Sequence, residues 1–220
     1  MVPPGSKRAT SRAAREDRRE AILDAALALF EHIGFQDISM SLLAERTGVA
    51  KGTLYLYFPT KEAVFLALYE RAMAHWFVTM SNELETLPAN DHRRLAAAMV
   101  EAVEAQPRLP ALASLLHTVL ERNIPFEEAL EFKRRLLEAS EALAAAIEKH
   151  LDFLDTGDGL GLLTRVHTLL IGSWQAASPA PIARRVLDEP GMEALRIDFS
   201  EEFENLLLLM LEGWRRSEGA

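Results

Sequence analysis

The feature that most constrains the fold is a long run of apolar residues at helical spacing. Between positions 65 and 80 they recur at i, i+3, i+4 and i+7, which places them on one face of an α-helix for more than four turns. A helix with such a continuous stripe must be packed along its whole length. The stripe consists of Phe65, Leu68, Tyr69, Ala72, Met73, Trp76, Phe77 and Met80.

The same periodicity extends through the rest of the chain. A first helix contains the stripe at 22–30 and ends at Gly34, and Thr60 is the expected N-cap of the long fourth helix. No segment shows the alternation of a β-strand and no internal repeat is evident, so we expect an all-α protein. The other predicted helices cover residues 41–47, 51–57, 95–103, 112–120, 125–151, 160–176, 182–187 and 199–214.

Composition excludes several classes of protein. The 220 residues include no cysteine, which removes disulfides, thiolate nucleophiles and cysteine metal sites and is typical of a reducing compartment. Apolar runs such as residues 206–211 are too short to span a membrane, so we expect a soluble cytoplasmic protein with no membrane partner. We find no nucleophile elbow, no phosphate loop and no histidine pair at i, i+4 spacing. The sequence therefore predicts no enzyme, no cofactor and no metal site.

Charge is distributed unevenly. Residues 1–61 contain nine Lys and Arg against seven acidic residues, a net charge of +2, although the whole chain has a net charge of -9. The remainder therefore carries -11. A basic head on an acidic body allows polyanion binding at one end only, although charges along the first helix equally suit a solvated face.

Three residues in the region of the second and third helices have the spacing of a helix-turn-helix. Ala44 is small enough for the two helices to touch, Gly48 can adopt positive φ in the turn, and Leu54 is an aliphatic residue under the second helix. The same pattern also occurs in helical hairpins that do not bind DNA.

A longer string of residue types surrounds these three positions. It comprises Gly34-Phe35, Ser39, Leu43-Ala44, Thr47-Gly48-Val49, Lys51-Gly52-Thr53-Leu54-Tyr55, Tyr57-Phe58-Pro59 and Lys61-Glu62. The string, matching from about residue 15 to 68, resembles the N-terminal signature of the TetR family of bacterial transcriptional regulators. The resemblance implies a three-helix DNA-binding head, a helical ligand-binding and dimerising body, and repression that a ligand relieves. Beyond residue 68 the chain is similar to the family only in length and helical character.

The resemblance also implies a set of DNA-binding residues. The recognition helix would use Lys51 on a guanine edge or a phosphate, and Gly52 would let the backbone approach the duplex. Helix N-termini would help to hold phosphates. The implied contacts are Ser39, Ser41, Lys51, Gly52, Thr53, Tyr55, Tyr57 and Lys61, of which the two tyrosines also suit core packing. The basic arm residues Lys7, Arg8 and Arg12 suit either contact with the minor groove and DNA backbone or a disordered, solvated arm.

Two residues, one just before the recognition helix and one within it, depart from the family pattern. Ala50 stands where a capping Ser or Thr is usual, so we expect this helix to lack a side-chain cap, at a cost of ~1 kcal/mol. Leu56 is apolar where a polar residue is common. It suits either contact with thymine methyl groups or inward packing, and the inward position is the expectation.

We therefore divide the chain into a flexible basic arm at 1–14, a helix-turn-helix domain at 15–60 and a ligand-binding and dimerisation domain at 61–220. In the body, Met73, Phe77, Met99, His117, Phe132 and Trp174 are candidates for the lining of an effector cavity, although each also suits an ordinary core. The last helix is apolar on all sides, which one protomer cannot satisfy. Leu163, His167, Leu170, Phe203, Leu207, Met210 and Trp214 are therefore expected at a two-fold interface.

The expected function is that of a homodimeric repressor. It would bind a near-palindromic operator in double-stranded DNA and be released by a small apolar or amphipathic effector, neutral to cationic because the body is acidic. A ligand-independent regulator or activator of the same fold remains an alternative, distinguished by whether a cavity exists. An all-helical enzyme or adaptor is the alternative from another class.

Overall fold

A computed structural model describes the backbone of residues 5–217 and the side chains of residues 12–217. Within this part of the chain every regular element is helical and no strand is present, as the periodicity predicts. The helices are α1 (Gly5–Asp37), α2 (Met40–Thr47), α3 (Lys51–Tyr57), α4 (Lys61–Thr86), α5 (His92–Glu104), α6 (Leu109–Leu115), α7 (Phe126–His150), α8 (Asp158–Ala177), α9 (Pro181–Leu187) and α10 (Phe199–Ser217).

Helix α1 differs from its prediction at the N-terminal end. It begins at Gly5, so residues 5–14 are helical where the composition predicts a flexible arm. Several alanines and arginines, which are strong helix formers, account for the longer helix. Residues 1–4 and the side chains of Lys7 and Arg8 lie outside the described part of the chain. At the other end Gly34 has φ 75° and ψ 169° and breaks the helix where the sequence predicts its end.

The N-terminal three-helix head is joined to the body through α4. Thr60 caps this helix, since its hydroxyl accepts a hydrogen bond from the Ala63 amide at 3.1 Å. Phe65 in its second turn packs edge-on against Phe30 and Phe35 of α1, at centroid distances of 5.4 and 4.9 Å. The same helix then runs on through the body, where Trp76 and Met80 are buried. Head and body therefore share one rigid element.

In the body, α7 has two neighbours. It packs against α4 on one side and α8 on the other, and α10 packs against α5 and α8. The approach of α8 to α7 depends on Gly159, because a Cβ there would lie 2.6 Å from the Ala144 carbonyl oxygen. Only glycine allows the two backbones to come this close.

Two segments are irregular. The predicted helix at 112–120 is interrupted after α6, because residues 116–120 form a π-helical turn that contains His117. The connector between α8 and α10 contains the short helix α9, none of whose residues is buried. No helix in the described part of the chain is long and apolar enough to cross a membrane.

Candidate nucleic-acid interface and effector cavity

The helix-turn-helix has the geometry that the three marker residues predict. Gly48 closes α2 in the left-handed conformation at φ 66°, and Ala44 is buried where α2 meets its neighbour. Leu54 is fully buried on the inner side of α3. Ala50 makes no side-chain cap to α3, which confirms the expected departure from the family pattern.

Helix α3 presents most of its predicted contacts to solvent. Lys51, Gly52 and Tyr55 are exposed, and Thr53 is half-buried. The expectation that Leu56 packs inward is wrong, since its side chain is 76% exposed. The reason is geometric: successive helical residues are rotated by about 100°, so Leu56 lies nearly opposite the buried Leu54. An apolar side chain therefore stands on the outer surface of the recognition helix.

The other predicted DNA contacts have intramolecular roles as well. The Ser39 hydroxyl caps α2 by accepting from the Leu42 amide at 3.2 Å, and Ser41 is exposed in the first turn of that helix. Tyr57 is half-buried against the core. Lys61 Nζ donates to the Phe35 carbonyl oxygen at 3.0 Å and lies 4.2 Å from the centre of the Phe35 ring. That ammonium group fastens the start of α4 to the end of α1.

The body contains a cavity of about 400 Å³, enclosed mainly by α4, α7 and α8. Three of the six predicted lining residues are found there: Met73, Phe77 and His117. Its size and mostly apolar wall are typical of small-molecule sites. The remaining lining residues include Tyr69, Trp76, Lys133, Leu136, Leu137, Ser140, Leu160, Leu163, Thr164, His167 and Leu170.

The other three predicted lining residues lie elsewhere. Met99 is fully buried in α5 outside the cavity wall, because α5 turns that side toward the rest of the core. Trp174 packs edge-on against Phe199 at 5.7 Å, beyond the end of the cavity. Phe132 is buried and lines a second hollow of about 350 Å³, which is bounded by α1, α4 and α7.

One corner of the cavity is polar. The Tyr69 hydroxyl and His167 Nε2 are 3.0 Å apart and form a hydrogen bond between α4 and α8. Burial, and secondarily the charge of Glu121, raises the pKa of the Tyr69 phenol. Burial, helped by positive charge at His117 and Lys133, lowers the pKa of His167 to about 4. Both members of the pair are therefore uncharged at neutral pH.

A carboxylate joins the remaining polar groups of this corner. Glu121 accepts from His117 Nδ1 at 2.9 Å and forms an ion pair with Lys133. Burial raises the pKa of Glu121, but hydrogen bonds from Lys133 and His117 outweigh this effect and leave the pKa lowered. The two cationic or potentially cationic groups at the cavity thus already have an anionic partner.

Most residues predicted at a subunit interface lie inside the protomer. Phe203 and Leu207 are fully buried against the rest of the body, so their assignment to an interface is wrong. Leu163, His167 and Leu170 line the cavity. Periodicity identifies the apolar sides of a helix but not which side faces its own subunit. The half-buried Met210 and Trp214 still reach the surface of α10.

The outer face of α10 is apolar nevertheless. Leu206, Leu209, Met210 and Gly213 follow one another at i, i+3, i+4 and i+7, and none of these four residues is buried. Leu209, at the centre of this face, is 70% exposed. The all-round apolar character of the last helix is thus divided between one face inside the protomer and one at its surface.

Comparison with known proteins matches both parts of the chain to family models. Residues 22–68 match the model for bacterial regulatory proteins of the tetR family, and residues 70–218 match the model for the tetracyclin repressor-like C-terminal domain. The chain belongs to the TetR family. It is accordingly a DNA-binding transcriptional regulator, as the N-terminal string predicts.

Individual relatives of this TetR-family chain are distant. The transcriptional regulator EthR of Mycolicibacterium smegmatis is 29% identical over 163 residues, which cover 74% of this chain and 75% of EthR. The fatty acid metabolism regulator protein of Bacillus subtilis is 26% identical over 145 residues, covering 65% of this chain and 64% of that protein.

Solved structures show the same fold. A TetR-family regulator from Syntrophomonas wolfei has a TM-score of 0.61 at 16% identity, covering 91% of this chain and 96% of the other. FadR from Bacillus subtilis, in complex with stearoyl-CoA, has a TM-score of 0.55 at 16% identity, covering 88% of this chain and 98% of FadR.

Sequence reasoning missed the polar corner of the cavity. Tyr69 is visible in the sequence only as one member of the apolar stripe, and His167 is visible only as a member of another. The two residues are 98 positions apart. No local spacing predicts their hydrogen bond, because it depends on how α4 and α8 pack.

Proposed function

We propose that this TetR-family regulator binds a near-palindromic operator as a homodimer and is released by a small effector bound in the body. The observation that supports DNA reading is the outer surface of α3, where Lys51, Gly52, Tyr55 and Leu56 are exposed around the buried Leu54. Two such helices related by a two-fold axis enter successive major grooves. The protein acts in the cytoplasm, where chromosomal DNA is accessible.

The cavity favours an effector-controlled regulator over a ligand-independent one. Its wall is largely apolar, and Phe77 and Met73 project from α4, the helix that continues into the head. The complex of the B. subtilis relative FadR with stearoyl-CoA supports an amphipathic effector for this chain as well. The presence of Lys133 at the cavity argues against the cationic part of the expected effector range.

Helix α4 provides the coupling between effector and DNA. Lys61 fastens its first turn to α1, and Arg71 forms ion pairs with Glu20 at 2.9 Å and Asp24 at 2.7 Å on α1. A tilt of α4 at the cavity therefore moves the whole head. For a hundredfold loss of operator affinity, the effector must prefer the released conformation by about 2.8 kcal/mol.

The partner surface of the homodimer is the outer face of α10. In the isolated protomer, Leu209 is exposed between Leu206 and Gly213, so an apolar helix face is in contact with water. A second copy of the chain covers this face in the dimer. Symmetric pairing through α8 and α10 gives a four-helix interface and fixes the spacing of the two heads.

Lys51→Ala tests the DNA-binding part of this proposal. Genomic fragments retained by the purified protein provide the operator, and fluorescence anisotropy measures its affinity at several salt concentrations. Loss of one phosphate contact per subunit should weaken binding and reduce the slope of log affinity against log salt by about one per subunit. Lys149→Ala is the matched control, because Lys149 is an exposed lysine at the far end of the body. Equal behaviour of the two variants would remove Lys51 from the interface.

A further inference from the structure

The polar groups of the cavity are not equally available to a ligand. Three hydroxyl groups on its wall already donate to carbonyl oxygens in their own helices: Ser140 to Leu136 at 2.7 Å, Thr164 to Leu160 at 2.8 Å and Thr168 to Thr164 at 2.9 Å. Tyr69, His167, His117 and Lys133 remain as groups that can recognise the polar part of a ligand.

Charge balance in this corner disfavours an ionised ligand. A carboxylate would have to compete with Glu121 for Lys133 and His117, and the two anions would repel each other in a partly desolvated site. An ammonium group would lie near Lys133 and His117, and Glu121, their acidic partner among the described residues, is already shared between them. A neutral head group incurs neither penalty.

The Tyr69–His167 pair has unused capacity for a neutral group. Its one hydrogen bond occupies His167 Nε2, and no hydrogen bond of the other ring nitrogen occurs among the described residues. The phenol oxygen has a further lone pair as well. A ligand hydroxyl or carbonyl group can therefore bond to this pair without removing a charge from water.

We propose that the effector is an amphipathic molecule with an uncharged, hydrogen-bonding head, which binds at Tyr69 and His167 while its apolar part lies against Met73 and Phe77. This inference rests on the proposed effector-controlled function. Because Tyr69 belongs to α4 and His167 to α8, a head group bonded to this pair contacts both the helix that leads to DNA and a helix of the proposed dimer interface.

The test compares three probes that share a ten-carbon chain: decanol, decanoate and decylamine. Isothermal titration of the wild-type protein should show decanol binding at least tenfold more tightly than either ionised probe. Tyr69→Phe should weaken decanol binding about fivefold to tenfold, the effect of one lost hydrogen bond, and should leave the ionised probes unchanged. Thr118→Val, which removes an exposed hydroxyl outside the cavity wall, should leave all three affinities unchanged.

The ranking in the wild-type protein decides the question even where Tyr69→Phe is poorly folded. Tighter binding of decanoate or decylamine, or no binding of any probe, would overturn the neutral-head assignment. Operator binding by the same preparation separates this result from failure of the proposed function. A protein that binds its operator and releases it with decanoate keeps the function and loses only the ligand class.

Discussion

The exposed Leu209 gives a sharp test of the proposed dimer, because the sequence pattern assigns Leu207 to the interface, and Leu207 is buried within the protomer. Leu209→Glu places a carboxylate at the centre of the outer face of α10, where the leucine side chain is 70% exposed in the protomer. The protomer should fold normally, since nothing in its own core depends on this side chain. The dimer should dissociate, because two carboxylates would enter a desolvated seam.

The expected size of the effect follows from the exposed area. Full burial of a leucine side chain contributes about 1.5–3 kcal/mol, so burial of the exposed part of Leu209 in two copies contributes about 2–4 kcal/mol. Loss of this contribution raises the dissociation constant roughly thirtyfold or more before carboxylate desolvation is counted. Sedimentation velocity over a dilution series measures the change, and circular dichroism checks the fold.

Leu207→Glu is the matched control on the same helix. Leu207 is fully buried in the protomer, so this substitution should lower the free energy of unfolding by several kcal/mol instead of only separating the subunits. A Leu209→Glu dimer that dissociates only at the same dilution as the wild type would place the interface on another surface.

Three further predictions concern the recognition helix, the packing of the body and the cavity. The exposed Leu56 is expected to contact a thymine methyl group, so replacing thymidine by deoxyuridine at one position per half-site should weaken operator binding by the wild type about fourfold per subunit. The same replacement should leave operator binding by Leu56→Ala unaffected. Equal losses of affinity in both proteins would contradict this role of Leu56. In urea unfolding, Gly159→Ala should lower the free energy of unfolding by about 1–3 kcal/mol, because its Cβ would clash with Ala144. Gly52→Ala has open space around it and should raise the free energy of unfolding by about 0.5–1 kcal/mol. Similar effects of the two changes would contradict the close approach of α8 to α7. His167 has a pKa of about 4 in the folded protein against an ordinary 6.5, so the unfolded chain takes up the proton first as the pH falls. The free energy of unfolding should therefore decrease by up to about 3 kcal/mol between pH 6.5 and pH 4, and His167→Gln should show a smaller decrease. Identical pH profiles of the two proteins would count against a neutral, desolvated His167 ring.

Local signals in the sequence were sufficient for the head. Gly48, Ala44 and Leu54 each meet a requirement that depends on one side chain alone: positive φ in the turn, small size between the helices and an aliphatic group on the inner side. The structure confirms all three. Leu56 was the exception, because a helix of only seven residues has too few apolar positions for periodicity to separate its inner from its outer side.

Local signals were less informative in the body. Periodicity predicts that α4 is packed along its length and that Phe77 and Met73 face the interior, and both residues line the cavity. Periodicity does not distinguish a residue that lines a cavity from a residue in the solid core. For this reason Met99 is predicted at the cavity wall but lies in the core outside it. That distinction depends on the packing of helices far apart in sequence.

The most direct test of the central claim is selection of DNA by the purified protein from a random double-stranded library, followed by footprinting of the selected sequence. We expect a near-palindromic site whose half-site centres are separated by one helical turn, about 10 base pairs, and which is protected by two copies of the chain. Selection of no defined sequence, or of a single half-site bound by one copy, would contradict an account in which two recognition helices read successive major grooves.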